Sequence, residues 1–297
     1  MSLSHQFGGS WTEDKLSRVK KYLAAYMKIF KGNKNALYYN TIYVDAFAGT
    51  GYRSTQSKDT DAAIPLFSDE DEKEVASFQK GSAYTALETD PSFDQYLFVE
   101  LSSDYVMGLE SLRQQFPQKA NNIDIVREEA NSFLQSWCEK QNWRTTRAVV
   151  FLDPYGMQVE WKTIEAIAHT QGIDLWILCP LGQAVNRLLT KNQPPPDMWA
   201  ARLTRFFGTE EWKKAFYRKP KQTTLFGSED SLEKDADFDS IGKFFINRLE
   251  TVFAKVAQNP LPLRNSRNVP IFLLCFASAN PKGAPIAVKI AQEILGK

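Results

Sequence analysis

The 297-residue chain is predicted to be α/β: a Rossmann-like, mostly parallel sheet with helices on both faces and an inserted helical subdomain. Three observations predict this. Short runs of β-branched and aromatic residues alternate with helix-length amphipathic segments, the pattern of βαβ units. One such run, Thr41-Ile42-Tyr43-Val44-Asp45-Ala46-Phe47-Ala48-Gly49-Thr50-Gly51, passes straight into a glycine loop. Another, Ala148-Val149-Val150-Phe151-Leu152-Asp153-Pro154-Tyr155-Gly156, ends in a proline–glycine turn, where the ring stops the strand.

Along the chain, residues 11–30 repeat Leu16, Val19, Tyr22, Leu23, Tyr26 and Ile29 at helical spacing, with Thr12 as the expected N-cap and Asp14 in the first turn. This helix is expected to lie beside the first strand. Residues 53–92 read as an insertion, either a lid over the cofactor or a solvated surface loop, because Gln56-Ser57-Lys58-Asp59-Thr60 and the acidic Asp69-Glu70-Asp71-Glu72 suit a loop. A second strand over 96–100, a helix over 104–116, a third strand over 123–127 and a helix over 132–139 follow. The fourth strand occupies 148–152, a helix 163–170, the fifth strand 173–178 and another helix 183–189. Pro194-Pro195-Pro196 then breaks the alternation and opens a helical subdomain over 190–258. It comprises an aromatic-rich helical segment (Trp199, Leu203, Phe206, Phe207, Trp212, Phe216, Tyr217), a polar linker over 219–239 and an amphipathic helix over 241–256. The α/β core is therefore 1–189 plus 259–297, closing with a long apolar strand over 269–278. Asn280-Pro281-Lys282-Gly283 makes a turn, and 284–295 returns as a helix or as a short strand followed by a helix.

The strand ends carry the chemistry. Asp45 stands at the carboxyl edge of the first strand, where open α/β sheets bind ligands, and Gly49 and Gly51 let the backbone approach one closely. No Gly-Lys-Ser/Thr follows, so this is not a phosphate-binding P-loop. An acid there suits a ligand with positive charge or hydroxyls, which points to S-adenosylmethionine held by Asp45, Phe47, Ala48, Gly49 and Gly51. Glu100, at the end of the second strand, is placed to accept hydrogen bonds from ribose hydroxyls. It follows Asp45 by 55 positions, against roughly 20 in the dinucleotide fingerprint, which requires the insertion. After the third strand, Glu129 is the expected acceptor for an adenine amino group, with Asn131 as the alternative helix cap.

Asp153-Pro154-Tyr155 resembles the Asp-Pro-Pro-Tyr motif of class I methyltransferases that act on exocyclic amines of bases. That resemblance implies that Asp153 and the Pro154 carbonyl orient an acceptor NH2, with Tyr155 stacked on the base. The second proline is missing and Tyr155 comes one place early, so the stacking geometry departs from the motif. With Gly81-Ser82-Ala83, Met157-Gln158-Val159-Glu160-Trp161, Ile173-Asp174-Leu175-Trp176, Pro180-Leu181-Gly182 and Ala277-Ser278-Ala279-Asn280-Pro281-Lys282-Gly283-Ala284-Pro285, the chain resembles the bacterial three-Cys-motif partner proteins. The resemblance implies a class I methyltransferase core and S-adenosylmethionine as cofactor. It also implies a neighbouring three-Cys-motif protein of radical-SAM type as a partner, and it carries over no substrate.

Composition narrows the alternatives. The formal charge of +1 gives no global field for nucleic acid, so such a partner would need a local patch. The N-terminal Lys15, Arg18, Lys20, Lys21, Lys28, Lys31 and Lys34 form one basic run. Arg202, Arg205, Lys213, Lys214, Arg218, Lys219 and Lys221, interleaved with aromatics, form another, which reads first as the solvated face of an aromatic helical core and second as a single-strand binder. Cys138, Cys179 and Cys275 lie far apart with no C-x-x-C, so neither a disulfide framework nor a zinc site is indicated, and a cytoplasmic location is expected. Cys179-Pro180 is read as an inert strand-end thiol rather than a nucleophile. His5 and His169 are the only histidines, which argues against a histidine triad or metal centre. No stretch is long and apolar enough to span a membrane. G-x-G-x-x-G is absent, which weakens an NAD-dependent reading. Two readings stand: a methyltransferase acting on an amino nitrogen of a base or nucleotide, and a degenerate methyltransferase-like protein acting as a partner.

Overall fold

A computed structural model describes residues 10–48, 81–154, 156–219, 232–265 and 267–296. The chain enters through α1 (Ser10–Gly32), which begins two residues ahead of Thr12, so Thr12 is not its cap. Then come β1 (Asn40–Ala46), a helix over 81–87 (α2), β2 (Gln95–Val99) and α3 (Ser103–Gln115). A 3-10 turn at Pro117–Asn122 leads to β3 (Ile123–Val126), α4 (Ala130–Lys140), β4 (Thr146–Leu152), α5 (Trp161–His169) and β5 (Ile173–Cys179). The expected helix after β5 is instead a π-helical turn, Leu181–Val185, running into the short α6 (Asn186–Leu188).

Pairing places these strands in the order β3-β2-β1-β4-β5, all parallel. The chain builds outward from β1 to β3, then restarts on the other side of β1 with β4. That reversal is the topological switch point at which such sheets open a crevice. β10 (Pro270–Ser278) runs antiparallel to β5, and α10 (Ala284–Leu295) follows it with no strand between. β8 (Lys255–Val256) and β9 (Leu261–Arg264) pair with β10 end to end as one interrupted edge strand. This is the Rossmann-like class I methyltransferase sheet, with its long last strand reversed.

The central strands are buried throughout, as parallel strands covered on both faces must be: every residue of β5, Ile-Asp-Leu-Trp-Ile-Leu-Cys, is buried. Period-two alternation sorts β1 between two cores. Ile42, Val44 and Ala46 face α4, α5 and the inserted segment. Tyr43 faces α1, α2 and α10, with Tyr22, Leu23, Ala86 and Val288.

Within residues 190–258 the aromatic-rich stretch forms two helices, α7 (Asp197–Phe207) and α8 (Trp212–Phe216), separated at Gly208. Gly208 has φ +68°, and a Cβ there would lie 2.1 Å from the Trp161 indole, so only glycine closes this turn. A two-stranded ribbon of β6 (Tyr217–Arg218) and β7 (Glu233–Lys234) and then α9 (Phe238–Glu250) follow. α9 ends earlier than its apolar periodicity suggested, because Lys255–Val256 leaves the helix to pair with β10. Phe206 stacks on Phe245 at 5.4 Å, and Phe216 and Phe244 meet edge to face, so these rings form a core instead of a surface for bases. Arg248 lies 4.5 Å over Trp161, joining this layer to the sheet's first core.

Candidate functional site

Register brings the expected acids together. Asp45 pairs with Phe98 of β2 and Phe151 of β4, and Ala46 pairs with Val99 and Leu152. Glu100 and Asp153 each follow the residue paired with Ala46, so Asp45, Glu100 and Asp153 end three adjacent strands at the switch point. Each is only 1% exposed. Buried charges without full compensation are costly, and such clusters mark functional clefts.

Asp45 accepts hydrogen bonds from Ser82 Oγ at 2.7 Å and from the Tyr43 hydroxyl at 3.4 Å, both on Oδ2. Burial, reinforced by the Glu100 charge, outweighs these bonds and raises its carboxyl from 3.8 to about 7. The Tyr43 hydroxyl is itself pushed well up, by burial and by the Asp45 and Asp153 charges. Glu100 Oε1 accepts the Ser102 N–H at 2.6 Å, while the buried Oε2 has no hydrogen-bond partner among the described residues. Burial raises the Glu100 carboxyl as well. An orphaned buried carboxylate oxygen beside the crevice is a ready acceptor for a ligand hydroxyl.

Phe47 adopts φ +73°, a left-handed conformation that is strained for a bulky side chain. Ala48 is held by its N–H to the Val99 carbonyl at 3.1 Å. The turn after β1 is thus bent ahead of the glycines and tied to β2. Gly49, Gly51 and Tyr155 lie outside the described residues, as do residues 53–80 of the expected lid. The end of that insertion is helical and packed: Ser82, Ala83, Ala86 and Leu87 of α2 are buried. Pro154 is buried, and Gly156 turns the chain with φ +69°.

Glu129, the expected acceptor for an adenine amino group, also caps a helix. It is the N-cap of α4, accepting the Asn131 and Ser132 N–H groups at 2.9 and 2.8 Å, and these bonds lower its carboxyl despite partial burial. Asn131, the expected alternative cap, is buried and ties α4 to the chain after Asp153. Its Nδ2 donates to the Gln158 carbonyl, and its Oδ1 accepts from the Glu160 N–H and the Thr163 hydroxyl, each at 2.9 Å. Sequence reasoning gave no role to Ser82. Gly81-Ser82-Ala83 entered only as part of the family resemblance, and only the folded insertion brings α2 to β1.

The π-helical turn also stands at this edge of the sheet, after β5. A Cβ on Gly182 would lie 2.4 Å from the Pro270 carbonyl, so the turn needs a glycine to pass beside β10. Cys179 is fully buried and its thiol is pushed well above the ordinary range, so it is inert as a nucleophile. In the N-terminal basic run, Lys20 pairs with Glu88 and Lys31 with Asp94. Among the described residues no helix is long and apolar enough to cross a membrane, and no cluster of residues suits a metal ion.

No family model matches the chain, and no curated protein matches it. The three-Cys-motif likeness therefore stays a resemblance. Among solved structures, the chain is similar to protein LPL1258 of Legionella pneumophila str. Philadelphia 1, from family DUF519, at 12% identity and a TM-score of 0.48, covering 98% of this chain and 92% of that one. It is also similar to Escherichia coli yhhF, provisionally named a methyltransferase, at 12% identity and a TM-score of 0.29, covering 72% of this chain and 86% of that one. These likenesses are distant, and the fold assignment rests on strand order and register.

Proposed function

We propose that the protein is an S-adenosylmethionine-dependent methyltransferase whose acceptor is an amino nitrogen of a nucleic-acid base or nucleotide. The observation that carries this reading is the convergence of Asp45, Glu100 and Asp153, all buried, on the switch point of the sheet. Buried carboxylates at the ends of adjacent strands favour a ligand that is cationic and rich in hydroxyls, and the orphaned Glu100 Oε2 fits such a group. Asp45, with the backbone of Phe47, Ala48, Gly49 and Gly51, would hold the amino-acid end. Glu100 would accept the ribose hydroxyls. Glu129 would face the adenine through the acceptor capacity that capping leaves on Oε2.

The bound cofactor supplies an already activated methyl group, so the protein's contribution is positioning and electrostatics. Asp153 and the Pro154 carbonyl would accept hydrogen bonds from the acceptor NH2 and aim its lone pair, with Tyr155 against the ring. The core of 1–189 plus 259–297 would bear this site, the helical subdomain over 190–258 would flank it, and the insertion over 53–92 would border the cofactor.

Calorimetric titration with S-adenosylmethionine tests the reading, with Asp45→Ala as control. Binding that disappears in the variant supports the cofactor, and labelled-methyl transfer to nucleotides and nucleic acid then identifies the acceptor. Asp153→Ala should keep cofactor affinity and slow transfer by about 100-fold or more. A folded protein that binds no S-adenosylmethionine overturns the enzyme reading. It would leave the partner of a three-Cys-motif protein as the alternative, tested by co-purification.

A further inference from the structure

A second pocket lies at the opposite edge of the sheet, and no part of the proposed methyl transfer uses it. Its floor is formed at the amino ends of β4 and β5 by Arg147, Gly172 and Asp174. Asp153 lies six residues further along the chain from Arg147, so the two sites are about 20 Å apart at 3.3 Å per strand residue. The walls are Tyr26, Ile29 and Phe30 of α1 and Ile286, Ala287 and Ile290 of α10. The cavity measures about 110 Å³. An engineered apolar cavity of about 150 Å³ holds a benzene molecule, so this one accepts a single ring at its open mouth and little more. Two residues on the rim are exposed isoleucines, Ile29 at 39% and Ile286 at 58%.

The anionic group lining this pocket is a carboxylate, beside Arg147, Asn280 and the tyrosines Tyr22 and Tyr26. Asp174 is 7% exposed and accepts the Tyr22 hydroxyl at 2.7 Å and the Ser278 hydroxyl at 2.5 Å. Both donors are neutral, and no cation among the described residues forms an ion pair with it. Arg147 is the cation lining the pocket, and it is engaged elsewhere. Its Nη1 donates to the Trp143 and Thr146 carbonyls, its Nη2 to the Tyr39 hydroxyl at 2.9 Å, and its plane lies 4.0 Å over the Tyr39 ring. Its Nε is buried and without a hydrogen bond among the described residues, and one further N–H of Nη2 is not used by these bonds. Burial raises the Asp174 carboxyl to about 6 even with Arg147 nearby, so the charge present at neutral pH is incompletely compensated. A ligand that brings its own positive charge on a compact apolar body would complete the site.

We propose that this pocket binds a small organic ammonium ion with a single-ring or branched apolar body, its charged head on Asp174 and its body between α1 and α10. The site would report on a ligand distinct from the methyl donor and acceptor.

Full-length protein titrated with benzylammonium, benzyl alcohol and benzoate by ligand-observed NMR tests the proposal. Benzylammonium is expected to bind with a Kd on the order of a millimolar or tighter, given its few heavy atoms. It should bind about tenfold tighter than benzyl alcohol, and benzoate should be weakest. Asp174→Asn should bring benzylammonium down to the level of benzyl alcohol. Ala287→Phe, on a half-exposed helix face, should fill the cavity and abolish binding of both without requiring any change at Asp174. Benzoate binding best would make Arg147 the governing charge and overturn the proposal. Benzylammonium binding that survives Ala287→Phe, or no binding by the native protein, would overturn it as well.

Discussion

Replacing Asp45 by asparagine should stabilise the ligand-free protein while destroying its proposed use. The Asp45 carboxyl rises from 3.8 to about 7 on folding, chiefly because burial strips it of water. A group whose folded value is raised binds more protons in the folded state, so its contribution to stability falls as pH rises between the two values. Below pH 4 the carboxyl is neutral in both states and the effect is nearly absent. Above pH 7 the folded protein carries a buried charge, at a cost of about 4 kcal/mol for a shift of roughly three units. Asparagine keeps an oxygen that can accept the Ser82 and Tyr43 hydroxyls and never ionises. Urea unfolding of both proteins at pH 5 and pH 8 reads the difference directly. The variant's advantage should grow between those values by about 3 kcal/mol, as the native carboxyl loses its proton. A stability difference independent of pH, or one that shifts against asparagine at pH 8, would refute the idea that Asp45 is held at an electrostatic cost. Paired with loss of S-adenosylmethionine binding, the predicted result is the trade-off expected of a site kept for function.

Because the cofactor's positive charge favours the ionised carboxylate, S-adenosylmethionine affinity should rise about tenfold between pH 6 and pH 8, measured by calorimetry in buffers of different ionisation heat, with proton release on binding at the lower pH. A flat profile would show that Asp45 does not titrate on binding. Gly208→Ala places a methyl against the Trp161 indole at positive φ and should cost about 3 kcal/mol by urea unfolding; a change under about 0.5 kcal/mol would mean the turn can relax freely. Asn131→Ala removes the acceptor of the buried Thr163 hydroxyl and the part-buried bonds to the Glu160 N–H and the Gln158 carbonyl, and should cost about 2 kcal/mol. If it also slows transfer more than it weakens cofactor binding, Asn131 positions the Asp153 loop; equal effects would leave it a purely structural brace.

Much of the sheet was legible because its signals are local. β-branched and aromatic runs place β1, β4 and β5, and Gly and Pro mark where they stop. The acids at their ends need only the rule that parallel strands present their carboxyl edges together. Weaker signals misled where two physical effects compete over a few residues. The apolar periodicity of 241–256 continues past Glu250, yet Lys255–Val256 pairs with β10, since ladder hydrogen bonds outweigh a last helical turn. Glu129 and Asn131 both suit a cap, and which one caps depends on Asn131 finding better partners across the chain at Gln158, Glu160 and Thr163.

The sequence by itself determined the α/β class and the strand-end carboxylates, because each depends on residue type and near neighbours. Only the tertiary structure decided which charges matter. Asp45 and Glu100 differ little as letters from surface acids, but burial raises both carboxyls, and Asp153 is buried beside them. The same holds for Ser82 on Asp45 and for Asp174 beneath α1 and α10, contacts between segments 37 and more positions apart. Desolvation and long-range pairing are properties of the packed chain, and no local pattern encodes them.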